Sequence, residues 1–248
     1  MSFPPVSISH LKELIKLRQK KFRIASGLTL AEGWRVLNQL LNNDVEIEEI
    51  LINDTENIDV AGLKAKNIYS LTAAQMGRIA TVKEPQSVCC ILKTRNITLG
   101  EPDFILYLDR IKDPGNLGTI IRTAAAAGVG GIVCSPDCCE MFNPKVIRAC
   151  LGTVFSIPFA EKTYEWLTSS EYIIMITRAQ TGENILQGSF PEKRIALVLG
   201  SEAFGISAEI QAHATRFLSI PMQKNIESLN VSAAAAVCIY SIQNSRIR

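Results

Sequence analysis

The sequence predicts an α/β protein in two domains: a small α/β/α sandwich over residues 1–95, a linker at 96–103, and a second α/β domain with a mostly parallel sheet over 104–248. Three observations predict it. Short apolar runs that suit buried strands alternate with helix-spaced amphipathic segments along the whole chain. The stretch TRNITLGEP at 94–102 interrupts that alternation with polar and turn-forming residues. Finally, 248 residues at 47% hydrophobic and 20% charged are enough for two modest cores.

In the first domain, Ile8, Leu11, Leu14, Ile15, Leu17 and Phe22 recur at helical spacing over residues 8–23, with Ser7 or Ser9 available as N-cap. A short strand is expected over 28–30, then a helix whose apolar side is Trp34, Val36, Leu37, Leu40 and Leu41. Residues 47–52 read as a strand, 60–65 as a helix, 67–71 as a strand and 72–79 as a helix, and 88–92 closes the module as a strand.

The second domain opens with a strand over 104–108, turns at Pro114-Gly115 and enters a helix over 116–127, which Gly128-Val129-Gly130-Gly131 terminates. A strand at 132–134, a helix at 145–150 containing Arg148, a strand at 154–157, a helix at 163–169 and a strand at 172–177 follow. Strands alternating with helices imply parallel pairing, since parallel strands need long crossovers. The chemistry is densest over 195–240. There the run Ile195-Ala196-Leu197-Val198-Leu199 stops at Gly200-Ser201-Glu202, and the run Phe217-Leu218-Ser219-Ile220 stops at Pro221. Both have the form of strands whose carboxyl ends open into ligand loops. An alanine-rich helix follows, with Ser228 or Asn230 as its cap.

Net charge is +2, so bulk charge does not announce a nucleic-acid binder. Its distribution is uneven. Lys12, Lys16, Arg18, Lys20, Lys21 and Arg23 face one acid, Glu13, over residues 10–23, whereas residues 43–56 carry acids and no base. Such a run suits a phosphate backbone, and equally a solvated helix face. No apolar stretch approaches the roughly 20 residues that span a bilayer, and the N-terminus has no apolar signal core, so a cytoplasmic protein is expected. The seven cysteines, Cys89, Cys90, Cys134, Cys138, Cys139, Cys150 and Cys238, sit mostly in apolar strands or small-residue helices, as reduced buried thiols do. Cys134, Cys138 and Cys139 lack the spacing of a zinc ribbon, and no histidine is near; no metal is expected.

Three segments together resemble the signature motifs of the SpoU family of RNA ribose 2'-O-methyltransferases, within the SPOUT superfamily. They are DRIKDPGNLGTIIR at 109–122, LVLGSE at 197–202, and IPM at 220–222 followed by SLNVS at 228–232. The match extends over nearly the whole chain, because residues 6–93 are similar to the ribosomal-protein-like substrate-binding domain that often precedes this catalytic domain. The resemblance implies S-adenosylmethionine as cofactor, structured RNA (rRNA or tRNA) as substrate, a homodimer, and a catalytic domain ending in a trefoil knot. The alanines at 124–127 and 233–236 suit close helix contact at such a dimer interface or tight packing within one subunit.

By the same resemblance Arg122, Asn116, Glu202, Ser228 and Asn230 are the catalytic set, and Leu199, Gly200, Ile220, Met222 and Leu229 hold the cofactor. Lys20, Lys21, Arg23 and Arg35 are the RNA-binding candidates. The family reading makes Arg122 the general base. A guanidinium pKa above about 12 leaves a second role open, a fixed charge that acidifies the 2'-hydroxyl. Without the motifs, Arg122 reads as a salt-bridge residue, Glu202 as an exposed loop acid, and Ser228 and Asn230 as helix caps. Three positions depart from the family: Ala203 replaces a frequent glycine, Cys150 a frequent serine, and Ser87 the glycine of a Pro-Gln-Gly turn. Two other classes fit parts of the pattern. A catalytically inactive RNA-binding protein retaining the fold would have a broken motif set, which this chain does not. A dinucleotide enzyme would need a Gly-x-Gly-x-x-Gly turn after the first strand of the second domain, and none is present.

Overall fold

In the computed structural model, which describes residues 3–53, 62–179, 181–191 and 194–247, the N-terminal periodicity resolves into two helices rather than one, α1 (Ile8–Lys16) and α2 (Lys20–Ser26). Gln19 is extended between them, which re-aims the chain and turns Arg23 inward. Ser7 caps α1 by accepting from the His10 amide. Strands β1 (Leu28–Glu32), β2 (Glu49–Asn53), β3 (Asn67–Leu71) and β4 (Val88–Lys93) form a sheet in the order β1-β4-β2-β3. Pairing is antiparallel on both sides of β4 and parallel between β2 and β3.

Helix α3 (Trp34–Asn42) packs on β1 and β4. Helix α4 (Ala73–Ile79), held by a Thr72–Gln75 capping box, packs with α1. Leu11, Leu14, Met76 and Ile79 meet Leu30, Leu51, Leu71, Cys89 and Ile91 in one core. The alternate residues Val88, Cys90 and Leu92 are equally buried, so both faces of β4 are covered. The helix expected over 60–65 falls partly outside the described residues, and 62–65 is turn and coil.

Residues 140–156, expected as part of the second domain, pack with this first unit, which comprises 1–95 and 140–156. Arg23 is 3% exposed; its guanidinium forms a paired hydrogen bond with Glu140 and donates to the Leu17 carbonyl at 2.8 Å. Thr29 Oγ1, fully buried on β1, donates to the Phe142 carbonyl at 2.8 Å. Helix α6 (Pro144–Ala149) carries Arg148 to within 3.8 Å of the buried Glu32 carboxylate, which also accepts from the Thr81 amide. Gly152, at φ +80°, brings the backbone against the Leu40 side chain of α3, where a Cβ would approach to 3.1 Å. The strand expected over 154–157 is therefore a 3-10 turn, Thr153–Phe155, with Val154 buried in this unit, and the strand proper, β7 (Phe159–Glu161), starts after Pro158.

The two departures from the family in this unit have local explanations. Ser87 Oγ accepts from the Trp34 indole at 3.0 Å, a bond that a glycine could not make. Cys150 is fully buried at the end of α6, with its thiol donating to the Ile147 carbonyl.

The second unit, 96–139 with 157–248, is built on seven strands: β5 (Phe104–Asp109), β6 (Gly131–Cys134), β7, β8 (Ile173–Thr177), β9 (Glu183–Asn184), β10 (Ile195–Gly200) and β11 (Arg216–Ser219). Their order is β7-β6-β5-β10-β8-β11-β9, with every neighbouring pair parallel. Helices α7 (Tyr164–Thr168) and α8 (Ala208–Ala212) bring Leu167 and Ile210 onto one face, against Tyr107, Val133, Ile176 and Val198. Helices α5 (Pro114–Ala126) and α9 (Val231–Ile247) pack together on the other face, and Gln243 of α9 donates to the terminal carbonyls of α5 at Ala127 and Gly128. Residues 105–108 and 195–199 are 0% exposed, which accounts for their unbroken apolar sequences. Among the described residues no helix is long and apolar enough to cross a membrane.

Two stability measurements follow. Arg23→Ala removes the guanidinium from the half-buried Glu140 carboxylate, and urea unfolding should show a loss of about 3 kcal/mol; an exposed Arg23 would give a near-zero change. Burial pushes the Cys90 and Cys238 thiols from 9.0 up to about 12. The unfolded chain therefore ionises first. Stability should be insensitive to these thiols below pH 9 and fall as pH rises from 9 toward 12, and Cys238→Ala should reduce that slope.

Candidate active site

Parallel register sets Gly200 beside Asp109, so the loops leaving β10 and β5 emerge side by side at the carboxyl edge of the sheet. Gly200 is required by its surroundings. A Cβ there would lie 2.3 Å from the Gly205 carbonyl carbon and 2.4 Å from the Ile206 nitrogen. The loop folds back on itself, with the Gly205 amide donating to the Ser201 carbonyl at 2.8 Å and the Phe204 amide to Ser201 Oγ at 3.2 Å. Asp109, 4% exposed, accepts from the Ser207 amide at 2.7 Å and ties the far end of this loop to β5. Ala203 does not have a positive φ, so replacing the family's glycine there introduces no backbone strain.

Below this loop lies a pocket of about 340 Å³. Its walls come from four places: Thr177, Arg178 and Ala179 around the end of β8; Leu199, Gly200, Ser201, Glu202 and Gly205 around the end of β10; Leu218, Ile220 and Met222 around the end of β11; and Ser228, Leu229, Asn230, Val231 and Ala234 at the start of α9. All five residues expected to hold the cofactor line it. Of the five expected catalytic residues, Glu202, Ser228 and Asn230 line it as well. Thr177, Arg178 and Ala179 were missed. The signal was present, since an apolar strand stopping at Thr177-Arg178 is the pattern that identified Gly200.

Asn116 joins the first motif to the other two. Helix α5 starts two residues earlier than the sequence suggests, with Pro114 in its first turn and Asp113 as N-cap, so Asn116 is its third residue. The Asn116 amide N–H is consequently not free for an anion; it donates to Asp113 Oδ1 at 2.8 Å. Its side chain donates through Nδ2 to Glu202 Oε1 and accepts through Oδ1 from Asn230 Nδ2 at 3.0 Å. Asn230 Oδ1 in turn accepts from the Ser232 and Ala233 amides and caps α9. An amide has one acceptor oxygen and one donor nitrogen, so the two contacts fix the orientation of Asn116.

The remaining expected residues lie elsewhere. Arg122 is exposed on α5, does not line the pocket, and has no hydrogen-bond or ion-pair partner among the described residues. Six residues of helix place it about 120° round the axis from Asn116 and about 9 Å along it. In the first unit Lys20, Lys21 and Arg35 are exposed, and the Lys21 ammonium sits 4.9 Å from the Phe22 ring. Arg23, expected to meet RNA, is unavailable to it because its charge is spent on Glu140. Among the described residues no cluster of three histidine, cysteine or acidic side chains is arranged to hold a metal.

Residues 103–240 match the SpoU rRNA Methylase family, and residues 9–90 match the MRM3-like substrate binding domain. The 23S rRNA (guanosine(2553)-2'-O)-methyltransferase RlmP of Bacillus subtilis is 28% identical over 239 residues, spanning 94% of this chain and 95% of that protein. A crystal structure of an RNA 2'-O ribose methyltransferase superposes over 100% of both chains with a TM-score of 0.83 at 25% identity. The AdoMet-bound rRNA methyltransferase from Sinorhizobium meliloti covers 97% of this chain and 96% of its own, with a TM-score of 0.80 at 26% identity.

The geometry makes two checks available. Gly200→Ala forces the 201–206 loop away from β10 and should lower stability by about 1–3 kcal/mol in thermal unfolding. Asn116→Asp sets two carboxylates face to face, and adding Glu202→Gln restores a donor between them. The double variant should be more stable than Asn116→Asp alone, with a coupling of about 1 kcal/mol in the double-mutant cycle; simple additivity would mean the Asn116–Glu202 contact contributes nothing.

Proposed function

The chain belongs to the SpoU rRNA methylase family, and from that premise we propose that it is an S-adenosylmethionine-dependent RNA methyltransferase acting on a ribose 2'-hydroxyl, with rRNA favoured over tRNA. The observation that carries this reading is the Asn230–Asn116–Glu202 chain at the rim of the pocket, which joins all three signature segments. The rRNA preference rests on the relatives, RlmP among them.

The pocket fits the cofactor in chemical kind. Leu199, Leu218, Ile220, Leu229 and Val231 offer apolar walls for an adenine, and the main chain at Gly200 lines the same pocket beside them. When bound, S-adenosylmethionine supplies an electrophilic methyl group. The protein's own part is position and charge. Glu202 has one carboxylate oxygen committed to Asn116, and the other is left to accept a hydrogen bond from the target ribose. Asn116 and Asn230 hold that carboxylate in place. Arg122 brings a cation against the 2'-oxygen, lowering the cost of the alkoxide as the hydroxyl proton leaves to water.

Arg122 reaches the site from the partner subunit of a homodimer. Its outward position on α5, away from the pocket of its own chain, supports this reading. The N-terminal unit, a ribosomal-protein-like domain in this reading, recruits structured RNA through Lys20, Lys21 and Arg35. The trefoil knot belongs to the same proposal. Helix α9 packs on α5 and β10 although the chain enters it from β11, two strands away from β10, and that return across the sheet supports the reading. A cytoplasmic location belongs to the same proposal.

Methyl transfer to RNA from labelled S-adenosylmethionine should fall at least about 100-fold in Arg122→Ala, with cofactor affinity by calorimetry unchanged. Near-normal turnover would remove Arg122 from the mechanism. Mixing Arg122→Ala subunits with Glu202→Ala subunits should recover about a quarter of wild-type activity, because half of the dimers pair one intact pocket with one intact arginine. No recovery would place Arg122 in its own subunit's site.

A further inference from the structure

Phe204 is 72% exposed, the most exposed large apolar side chain among the described residues, while Phe104, Phe142, Phe159 and Phe190 are all buried. Leaving a phenylalanine in water forgoes roughly 1.5–3 kcal/mol of burial, so a free ring invites a reason. Its backbone is not loose. The Phe204 amide donates to Ser201 Oγ, the next residue bridges back to Ser201, and Gly200 allows the loop to lie directly on its own strand. The ring is therefore held out on a pinned loop. Among the described residues no other ring or cation covers it.

The position of the ring matters more than its exposure. Phe204 follows Glu202 by two residues, and their Cα atoms are within about 7 Å of one another. Glu202 is the carboxylate proposed to receive the ribose, so a base splayed from that nucleotide or its neighbour comes within reach of the ring. Positive charge shares the rim. The Arg110 guanidinium, partly exposed and paired with Asp109 at 3.3 Å, also donates to the Gly205 carbonyl at 3.4 Å, and Lys112 is exposed on the same β5–α5 loop. An exposed ring with cations on the adjoining loop suits unpaired nucleotides, with bases stacking on the ring and phosphates meeting the cations.

We propose that Phe204 is a base-stacking platform that receives the unpaired base at or next to the methylated nucleotide, with Arg110 and Lys112 holding the adjoining phosphate. This rests on the RNA methyltransferase reading and deepens it: the substrate is presented as a splayed, single-stranded segment, and the ring positions the ribose at Glu202 without reading base identity, since every base has a π face.

The test measures RNA binding apart from catalysis. Affinity of the full-length protein for a short labelled single-stranded RNA, by fluorescence anisotropy, should fall about tenfold in Phe204→Ala and return in Phe204→Trp. The new indole in Phe204→Trp should be quenched by that RNA beyond the change shown by the wild-type tryptophans, and a fully paired duplex should quench it little. Cofactor affinity should stay at its wild-type value in both variants. Equal RNA affinity in Phe204→Ala would overturn the proposal, as would an unquenched indole. Sedimentation serves as the third arm: if Phe204→Ala dissociates an oligomer, the ring is covered by a second copy of this chain, and the proposal fails. A wild-type protein that binds RNA through Phe204 but transfers no methyl group would instead sink the enzymatic reading and leave this one standing.

Discussion

One side-chain amide, that of Asn116, holds the site together by donating to Glu202 and accepting from Asn230, residues 86 and 114 positions away. Three loops leave different parts of the sheet, and each by itself has several ways to lie. A shared amide with fixed donor and acceptor ends makes their arrangements mutually dependent. The sheet makes the contact possible beforehand, because β5 and β10 are neighbours in register from Phe104↔Ile195 to Asp109↔Gly200. A slip of one residue would turn the moved strand's side chains to the opposite faces of a sheet packed on both sides, where their shapes no longer fit, so the apolar core enforces the register on which the polar contacts rely.

Around that contact the pocket divides its labour. Apolar residues at the ends of β10 and β11 and the first turn of α9 form the walls, and polar groups gather at the rim. The rim is rigid for identifiable reasons: Gly200 leaves no gap beneath the loop, Asp109 secures it at Ser207, and the Asp113 and Asn230 caps start α5 and α9 at fixed places. Groups held this way lose little freedom when a ligand arrives, which is how a shallow site gains affinity and geometry together. Arg122 stands apart from that economy. It is carried on a helix and directed outward, and the proposed delivery to a partner subunit rests on that position.

The first unit shows what burial does to a charged residue. Arg23 belongs to a basic run that looks like an RNA-facing surface, and its neighbours Lys20 and Lys21 are indeed exposed. Arg23 itself is turned inward by the break at Gln19 and consumed by Glu140, anchoring residues 140–156 together with Thr29, Arg148 and Gly152. That excursion is invisible to local pattern. Its apolar residues read as one more helix and strand of the second domain; the helix forms as α6, and only the complementary surface on β1 and α3 packs it on the first unit and turns the expected strand into a 3-10 turn.

What the sequence determined by itself was every element written in a strong local code: the doubly buried strands β5 and β10, the capped start of α1, and the glycine at 200 where a strand meets a loop. The three motif segments were legible for the same reason, since each is short and contiguous. Element ends governed by weaker signals shifted by a residue or two, as when Pro114 and Asp113 moved the start of α5 ahead of Asn116. Tertiary structure alone decided which polar groups meet. Whether Asn230 is a cap or a site residue had no answer in the sequence, and the fold makes it both, because its oxygen serves the helix while its nitrogen reaches Asn116. The fate of Arg23, the gathering of Thr177–Ala179 to the pocket and the outward face of Arg122 likewise depend on distances between segments far apart in the chain, and no local pattern encodes a distance that only packing creates.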